Sequence, residues 1–306
     1  KNGCPPKMLA VVTPVKNEGK RLLDIASQLV QQKRMPDYWV IVDDNSTDVT
    51  SNIVKQLEKD YDFVLSVSLN KRSAYNEVFR YGHIVRTGFT YVLKYCRKLK
   101  FLGVLDADIK LKDNYYEAIL RAFNKIPELG IASGLYLKLR NNAFCLESNN
   151  NYKSTVCGAS MVFRKECLTD ISGFPTLPRP DTAALLKATS RGWKVGVVSS
   201  TYAIHLRENR HLTKYLKLGI ASYSLDYHPV NAILSGPYLA LRNFSLSPLG
   251  FTIGYLIGAI YKTKVKDEEV KQYYRKSLIR RIYKILRRPS HKYANLDPID
   301  NSTIII

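Results

Sequence analysis

Short apolar runs alternate with longer amphipathic segments through the first two thirds of the chain, and this alternation is the strongest constraint on its fold. The apolar runs at 8–13, 38–42, 63–67 and 101–105 predict strands, several of them buried on both faces. Apolar residues at helical spacing predict helices over 18–33, 47–59 and 78–98. Strands that alternate with helices of this length predict an α/β fold, with a Rossmann-like, mostly parallel central sheet covered by helices on both faces.

Polar and largely acidic clusters follow three of the predicted strands: residues 13–18 (TPVKNE), residues 43–48 (DDNSTD), and Asp106 with Asp108. The carboxyl ends of parallel strands meet at one edge of a sheet, where ligands bind in open α/β folds. Carboxylates that share a site repel one another unless a cation lies among them, and Asp-x-Asp suits a hard divalent ion that also binds diphosphate oxygens. Each cluster alone is equally typical of ordinary turns. Their order along the chain favours a metal-dependent site.

The segments TPVKNE, VDDNSTD and LDAD, in this order and spacing, resemble the motifs of the family-2 glycosyltransferases. The resemblance covers roughly residues 8–210. It implies the GT-A fold and an inverting, hexosyltransferase-class enzyme that uses a nucleotide-sugar donor and Mn²⁺ or Mg²⁺. The Gln-x-x-Arg-Trp signature of processive polysaccharide synthases is absent from the chain, which favours the transfer of a single sugar.

The resemblance also assigns residues to the donor and to the metal ion. Those that it places against the nucleotide sugar are Pro14, Val15, Glu18, Asp43, Asp106, Arg207 and Arg210. Those that it places at the metal ion are Asp106, Asp108 and His205. A neutral imidazole can ligate a metal, and arginines can neutralise a departing diphosphate. A surface or core role for this histidine is an equally open alternative.

The acceptor side of the site is assigned in the same way. Residues 157–161 (CGASM) resemble a small-residue strand of the family, which places Gly158, Ala159 and Ser160 at the sugar and acceptor pocket. Small residues let a sugar approach the backbone closely, although a glycine in an ordinary strand or bulge is the alternative.

Asp181 is the residue to which the resemblance assigns the role of general base. It follows Pro180, where relatives carry a Glu-Asp pair, so the first acid is absent here. A helix N-cap just after a proline is the competing interpretation of Asp181. An acceptor that is already anionic, such as a lipid phosphate, would need no strong base.

The net charge of +21 predicts an anionic partner, and the basic residues concentrate in 262–292. Two uncharged stretches, 229–241 and 243–261, come directly before them, with only Arg242 between the two. An apolar block followed by a basic block predicts attachment to the cytoplasmic face of a membrane. The first stretch is short and the second contains Pro248 and three glycines, so we expect monotopic or re-entrant attachment. A buried helical hairpin with a solvated tail is the alternative.

We therefore predict a GT-A domain over 1–215, apolar membrane-associated helices over 216–262 and a basic cytoplasmic tail over 263–306. The predicted partners are a nucleotide-sugar donor, a polyprenyl-phosphate-linked or glycan acceptor and an anionic membrane surface, but not nucleic acid. Two other classes stay open. A nucleotidyltransferase could use a similar sheet, although TPVKNE lacks a Gly-rich phosphate loop. A basic nucleic-acid-binding protein is disfavoured, because the acidic clusters would repel phosphate.

Overall fold

The computed structural model describes residues 8–69, 77–140, 143–146, 156–206, 212–262, 264–276 and 303–306. The strands are β1 (Leu9–Val15), β2 (Tyr38–Asp43), β3 (Val64–Ser68), β4 (Phe101–Val104), β5 (Ile109–Leu111), β6 (Leu129–Arg140), β7 (Ala143–Leu146), β8 (Val162–Arg164), β9 (Lys194–His205) and β10 (Thr303–Ile305). The helices are α1 (Gly19–Val30), α2 (Thr50–Asp60), α3 (Glu77–Tyr95), α4 (Tyr115–Lys125), α5 (Lys165–Asp170), α6 (Pro180–Ser190), α7 (Leu212–Ser224), α8 (Pro229–Asn243), α9 (Leu249–Tyr261) and α10 (Glu268–Arg275).

The described strands form one mixed sheet in the order β10-β9-β6-β8-β4-β1-β2-β3, with β5 paired to β9 and β7 to β6. Strands β3, β2, β1 and β4 are parallel neighbours, as are β6, β9 and β10, whereas β8 runs antiparallel between β4 and β6. The predicted α/β class with a mostly parallel sheet is confirmed. The acidic segments therefore do meet at one edge, because β1, β2 and β4 all end there.

Helices cover both faces of the sheet because the strands are apolar on both sides. Side chains alternate between the faces of a strand. One face of the sheet packs against α3, over β1 and β2, and against α6, over β6 and β9; its cluster includes Ala10, Val12, Val40, Val42, Val85, Phe89 and Ala184. The other face packs against α1, α2 and α4 through Leu9, Val11, Trp39, Ile41, Leu22, Val54 and Ile119. All of these side chains are buried, as the continuous apolar runs predict.

Two predicted local features are wrong. Helix α2 begins at Thr50 rather than at residue 47, because the Asp48 carboxylate accepts a hydrogen bond from the Thr50 amide (2.9 Å) and residues 46 and 47 belong to the preceding loop. The segment 157–161 is not a strand. Residues Gly158–Ser160 form a short 3₁₀ turn, and strand β8 begins only at Val162.

The apolar stretches near the C-terminus fold into α8 and α9, which pack with α7. Glycines let α7 and α9 touch backbone to backbone. A Cβ on Gly254 would lie 2.1 Å from the Leu216 carbonyl oxygen, and one on Gly219 would lie 2.1 Å from the Phe251 carbonyl oxygen. In the part of the chain that the structure describes, no helix is both long enough and apolar enough to cross a membrane.

The segment beyond residue 262 is partly joined to the domain built on the central sheet. Helix α10 packs against α6, where Lys187 pairs with Asp267 (2.5 Å) and Arg191 with Glu269 (3.0 Å). Strand β10 extends the central sheet by pairing in parallel with β9, with Thr303 opposite Val195. The domain boundaries at 215 and 262 stay a prediction, but the last described strand belongs to the sheet.

Candidate active site

The loops after β1 and β2 are fastened to each other at the carboxyl edge of the sheet. The Thr47 amide donates to Oδ1 of Asn17 (2.8 Å), and the Asn17 amide donates to Oγ of Ser46 (2.9 Å). Asn17 and Asn45 both have left-handed backbone conformations, with φ of 57° and 55°, which asparagine tolerates better than most residues. These bonds hold the two polar segments as one unit beside the predicted nucleotide site.

Pro14, Val15 and Glu18 lie on this unit. Val15 pairs with Asp43 in the register of β1 and β2, which brings the end of each strand to the same level. The Glu18 amide donates to Oγ1 of Thr50 (3.0 Å), and the Glu18 carboxylate forms an ion pair with Arg21. The structure thus places all three residues at the predicted edge. Their contact with a base or ribose stays a prediction.

Asp43 and Asp44 are both buried at the end of β2, and internal partners stabilise both. The Ser46 amide and the Ser51 hydroxyl donate to the two carboxylate oxygens of Asp43 (3.0 and 2.6 Å). Asp44 accepts two hydrogen bonds from the Arg80 guanidinium on α3. Asp43 therefore shapes the loop in addition to any contact with the donor.

Asp106 follows β4, and its carboxylate is directed at α3. The Tyr81 hydroxyl donates to Oδ1 of Asp106 (2.6 Å). Burial raises the pKa of the Asp106 carboxyl to about 7, the Tyr81 hydrogen bond opposes this rise, and the negative charges of Asp108 and then Asp181 add to it. Three carboxylates from three different segments therefore act on one another at this edge of the sheet.

Asp108 and His205 are brought together by a strand pair that sequence periodicity did not reveal. Strand β5 runs antiparallel to the end of β9, so that Ile109 lies opposite His205. Nε2 of His205 is 3.1 Å from Oδ2 of Asp108, and both side chains are largely buried. Nδ1 of His205 is buried without a hydrogen-bond partner among the described residues.

The Asp108–His205 pair has donor atoms that suit a divalent cation. Carboxylate oxygens and imidazole nitrogens both ligate Mn²⁺, and Mg²⁺ is usually held by one or two carboxylates together with substrate phosphates. Across the described ranges, however, no group of three or more His, Cys, Asp or Glu residues is placed to hold a metal ion. Asp106, the third predicted ligand, is engaged with Tyr81. The two side chains would suit a site in which the remaining ligands of the ion came from the substrate.

Asp181 does not cap its helix. Arg179 occupies the N-cap position of α6, Pro180 the first helical position and Asp181 the second. Within the described parts of the chain, the Asp181 carboxylate accepts no hydrogen bond and makes no ion pair. The N-cap alternative is therefore wrong. The carboxylate is left available to accept a proton or a substrate hydrogen bond.

The 3₁₀ turn at Gly158–Ser160 lies between Asp106 and Asp181. A Cβ on Gly158 would come within 2.7 Å of Oδ2 of Asp181, so only glycine leaves room for that carboxylate. The Asp106 amide donates to the Ala159 carbonyl oxygen (2.9 Å). Ser160 is buried, and both its hydroxyl and its carbonyl oxygen are in hydrogen-bond contact with the Tyr115 hydroxyl (3.0 and 2.8 Å). Gly158 lies beside Asp181 and Ala159 beside Asp106, and their place at a sugar or acceptor pocket stays a prediction, whereas Ser160 faces the core.

Two of the assigned residues, Arg207 and Arg210, lie outside the described residues. Conversely, Arg80 and Tyr81 were missed by the sequence analysis. Both lie in the first turns of α3, and they contact Asp44 and Asp106 respectively. A helix that follows β3 begins at the carboxyl edge of the sheet. The position of Arg80 and Tyr81 near the start of this helix was therefore the one signal in the sequence that could have placed them at the site.

Parts of the chain are similar in sequence to known proteins. The model of the family described as "Glycosyl transferase family 2" matches residues 10–156. The poly-beta-1,6-N-acetyl-D-glucosamine synthase of Staphylococcus epidermidis is 23% identical over 200 residues, which cover 58% of this chain and 43% of that protein. The chain therefore spans less than half the length of this curated relative.

Similar solved structures share the architecture. The mannosyltransferase PcManGT from Pyrobaculum calidifontis, in complex with GDP-Man and Mn²⁺, has a TM-score of 0.53 and 15% identity, with 92% of this chain and 81% of that chain covered. GalNAc-T7 with UDP, GalNAc and Mn²⁺ has a TM-score of 0.51 and 12% identity, with coverage of 66% and 43%. At these identities the likeness concerns the fold, and the predicted GT-A fold is confirmed.

Proposed function

Because the model of glycosyltransferase family 2 matches residues 10–156, we propose that the chain transfers a single hexose, with inversion, from a nucleotide-diphosphate sugar to a hydroxyl of a lipid-linked or glycan acceptor. The observation that carries this proposal is the grouping of Asp106, Asp108 and Asp181 at the carboxyl edge of the sheet, with His205 beside Asp108. Such an edge is where open α/β sheets bind nucleotides.

The reaction requires one bond to form and one to break at the anomeric carbon. The acceptor oxygen attacks that carbon, and the bond to the diphosphate breaks on the opposite face, so the nucleoside diphosphate leaves with the electron pair. The acceptor hydroxyl releases its proton to the Asp181 carboxylate, which has no protein partner in the described chain. Gly158 leaves the space that this carboxylate occupies.

A divalent ion would supply charge stabilisation for the diphosphate as it departs. Asp108 and His205 are the residues that would hold it. The PcManGT and GalNAc-T7 structures contain Mn²⁺, which supports Mn²⁺ or Mg²⁺ as the ion. The curated relative is named as a polymer synthase, but this chain lacks a Gln-x-x-Arg-Trp segment, which supports the transfer of one sugar.

Nucleotide binding gives the first test of this function. We expect UDP or GDP to raise the melting temperature of the full chain when Mn²⁺ is present, and CMP to leave it unchanged. A ligand at roughly 100 times its Kd stabilises the native state by about 2.7 kcal/mol, which a thermal-shift assay detects easily. No response to any nucleoside diphosphate with Mn²⁺ would contradict the proposal. Release of pyrophosphate from a nucleoside triphosphate and a sugar phosphate would favour the nucleotidyltransferase alternative.

We further propose that the enzyme works at the cytoplasmic face of a membrane, attached monotopically through α8, α9 and the loop that joins them. The side chains at the turn are strongly exposed: Leu241 is 78% accessible, Phe244 99% and Leu246 77%. Further exposed apolar residues on the two helices are Val230, Ile233, Leu234, Ile253, Leu256 and Ile260. An apolar surface of this kind is typical of a binding site for a membrane or a protein.

Charge supports a membrane as the partner. Lys262, Lys264 and Lys266 are exposed just beyond α9, Lys276 is exposed just beyond α10, and the chain carries a net charge of +21. Basic residues beside an anionic bilayer each contribute about 1 kcal/mol at most, so they orient and strengthen attachment. The apolar side chains would supply the part of the binding energy that salt does not screen.

Vesicle binding tests the attachment. We expect the full chain to bind vesicles of equal parts phosphatidylglycerol and phosphatidylcholine, and the combined variant Leu241→Glu, Phe244→Glu, Leu246→Glu to bind at least about tenfold more weakly, because each buried side chain contributes roughly 1.5–3 kcal/mol. Leu23→Glu, at an exposed leucine on α1, is the matched control and should bind normally. Equal sedimentation of the triple variant and the wild type would rule out this surface.

A further inference from the structure

Arg179 has an unusual backbone conformation, which the proline that follows it disfavours. Its φ and ψ are 55° and 56°, in the left-handed region that a residue with a side chain rarely adopts. It also precedes Pro180, and a proline disfavours helical conformations in the residue before it. Arg179 is the last residue before α6, and its carbonyl oxygen accepts a hydrogen bond from the Ala183 amide (3.1 Å). Asp181 is two residues further on.

The Arg179 side chain carries a charge without an ionic partner. Arg179 is exposed, and within the described residues its guanidinium makes no ion pair and no hydrogen bond. It lies over the ring of Tyr274 on α10, with 5.9 Å between Cζ and the ring centroid. The pKa of the guanidinium is raised mainly by Tyr274; desolvation opposes this rise, and the Asp181 carboxylate adds to it, so Arg179 stays charged beside the proposed base.

Aromatic contacts connect Arg179 to the apolar hairpin of α8 and α9. The Tyr274 ring packs against Tyr227, 6.3 Å between centroids, and Tyr227 packs against Phe251 of α9 at the same separation. The Tyr255 hydroxyl on α9 donates to the Tyr227 carbonyl oxygen (2.8 Å). A continuous chain of contacts therefore runs from the proposed membrane-facing helices to a cation next to Asp181.

This arrangement suits an amphiphile that carries a negative charge between its sugar and its apolar tail. We propose that Arg179 binds the phosphate of a phospholipid-linked acceptor, while the tail lies along α8 and α9 and the sugar hydroxyl reaches Asp181. The planar guanidinium presents several donors to phosphate oxygens at once, which makes arginine well suited to this contact. The proposal rests on the proposed glycosyl transfer and deepens it by naming the acceptor class.

Binding of two detergent monomers with the same tail tests the phosphate site. We expect the full chain to bind dodecyl phosphate at least about tenfold more tightly than dodecyl maltoside below their critical micelle concentrations, as measured by titration calorimetry. Arg179→Ala and Arg179→Gly should remove this preference while leaving the affinity for dodecyl maltoside unchanged. Arg179→Lys should fall between them, because an ammonium keeps the charge but loses the paired donors. Arg121→Ala, at an exposed ion pair on α4, is the matched control and should keep the full preference.

The Arg179→Gly variant serves as the control for correct folding. Glycine adopts left-handed φ without strain and is accepted at an N-cap, so Arg179→Gly should melt no lower than the wild type. Phosphate preference that survives in both Arg179→Ala and Arg179→Gly would overturn the proposal. Binding of inorganic phosphate as tight as that of dodecyl phosphate would also overturn the proposal, because the site would then recognise a free anion and not a lipid phosphate. The thermal shift with nucleoside diphosphate and Mn²⁺ separates these results from a failure of the proposed function. If either result is obtained but the thermal shift is still observed, only the phosphate proposal fails. If the thermal shift is absent, the proposed function fails.

Discussion

Replacing Asp108 by alanine is expected to abolish sugar transfer and to remove the Mn²⁺-dependent part of nucleotide binding, while the protein stays folded. Asp108 is the carboxylate that contacts His205, and the two side chains are the pair whose donor atoms suit a divalent ion. A metal ion contributes several kcal/mol to stabilising charge on a departing phosphate, so we expect a loss of about 1000-fold or more in turnover.

The measurement combines activity with binding. Asp108→Ala should show a thermal shift with UDP or GDP that no longer depends on Mn²⁺, and its melting temperature without ligand should stay close to that of the wild type. Asp113→Ala, at an exposed aspartate in the loop just beyond β5, is the matched control and should behave like the wild type in both assays. If Asp108→Ala still responds to Mn²⁺ with nucleotide as the wild type does, Asp108 is not a metal ligand.

Asp181→Asn is expected to lower turnover by about 100- to 10,000-fold while leaving donor affinity nearly unchanged, because asparagine cannot accept a proton at neutral pH. The amide has the same shape as the carboxylate, so the packing against Gly158 is preserved. Since Asp181 does not cap α6, the substitution should change stability very little. A fall in kcat with an unchanged thermal shift for nucleotide and Mn²⁺ is the expected signature.

The outcome for Asp181→Asn also identifies the attacking group. Asp24→Asn, at an exposed aspartate on α1, is the control for a lost surface charge and should keep full activity. Near-normal turnover in Asp181→Asn would mean that the acceptor attacks through a group that is already anionic. In that case the phosphate bound near Arg179 would itself be the nucleophile, and the hydroxyl acceptor of the proposed function would be wrong.

The amino-acid sequence predicts the donor side of the site better than the acceptor side. On the donor side the strands were predicted to within a few residues, because continuous apolar runs leave few alternatives to strands buried on both faces. Since parallel strands share one carboxyl edge, the sequence also predicted that residues near 15, 43 and 106 would meet. On the acceptor side, Ser160 was placed at the pocket but points into the core, because a 3₁₀ turn, unlike a strand, has no alternation of faces.

The sequence by itself determined the α/β class, the order of the acidic segments and the apolar and basic character of the C-terminal third, because each depends on residues close together in the chain. Only the tertiary structure decided the pairing of Asp108 with His205, the contacts of Arg80 and Tyr81 with Asp44 and Asp106, and the place of β10 in the sheet. Each of these joins segments that are 25 or more residues apart, and a local pattern carries no information about which distant segment will pack against it.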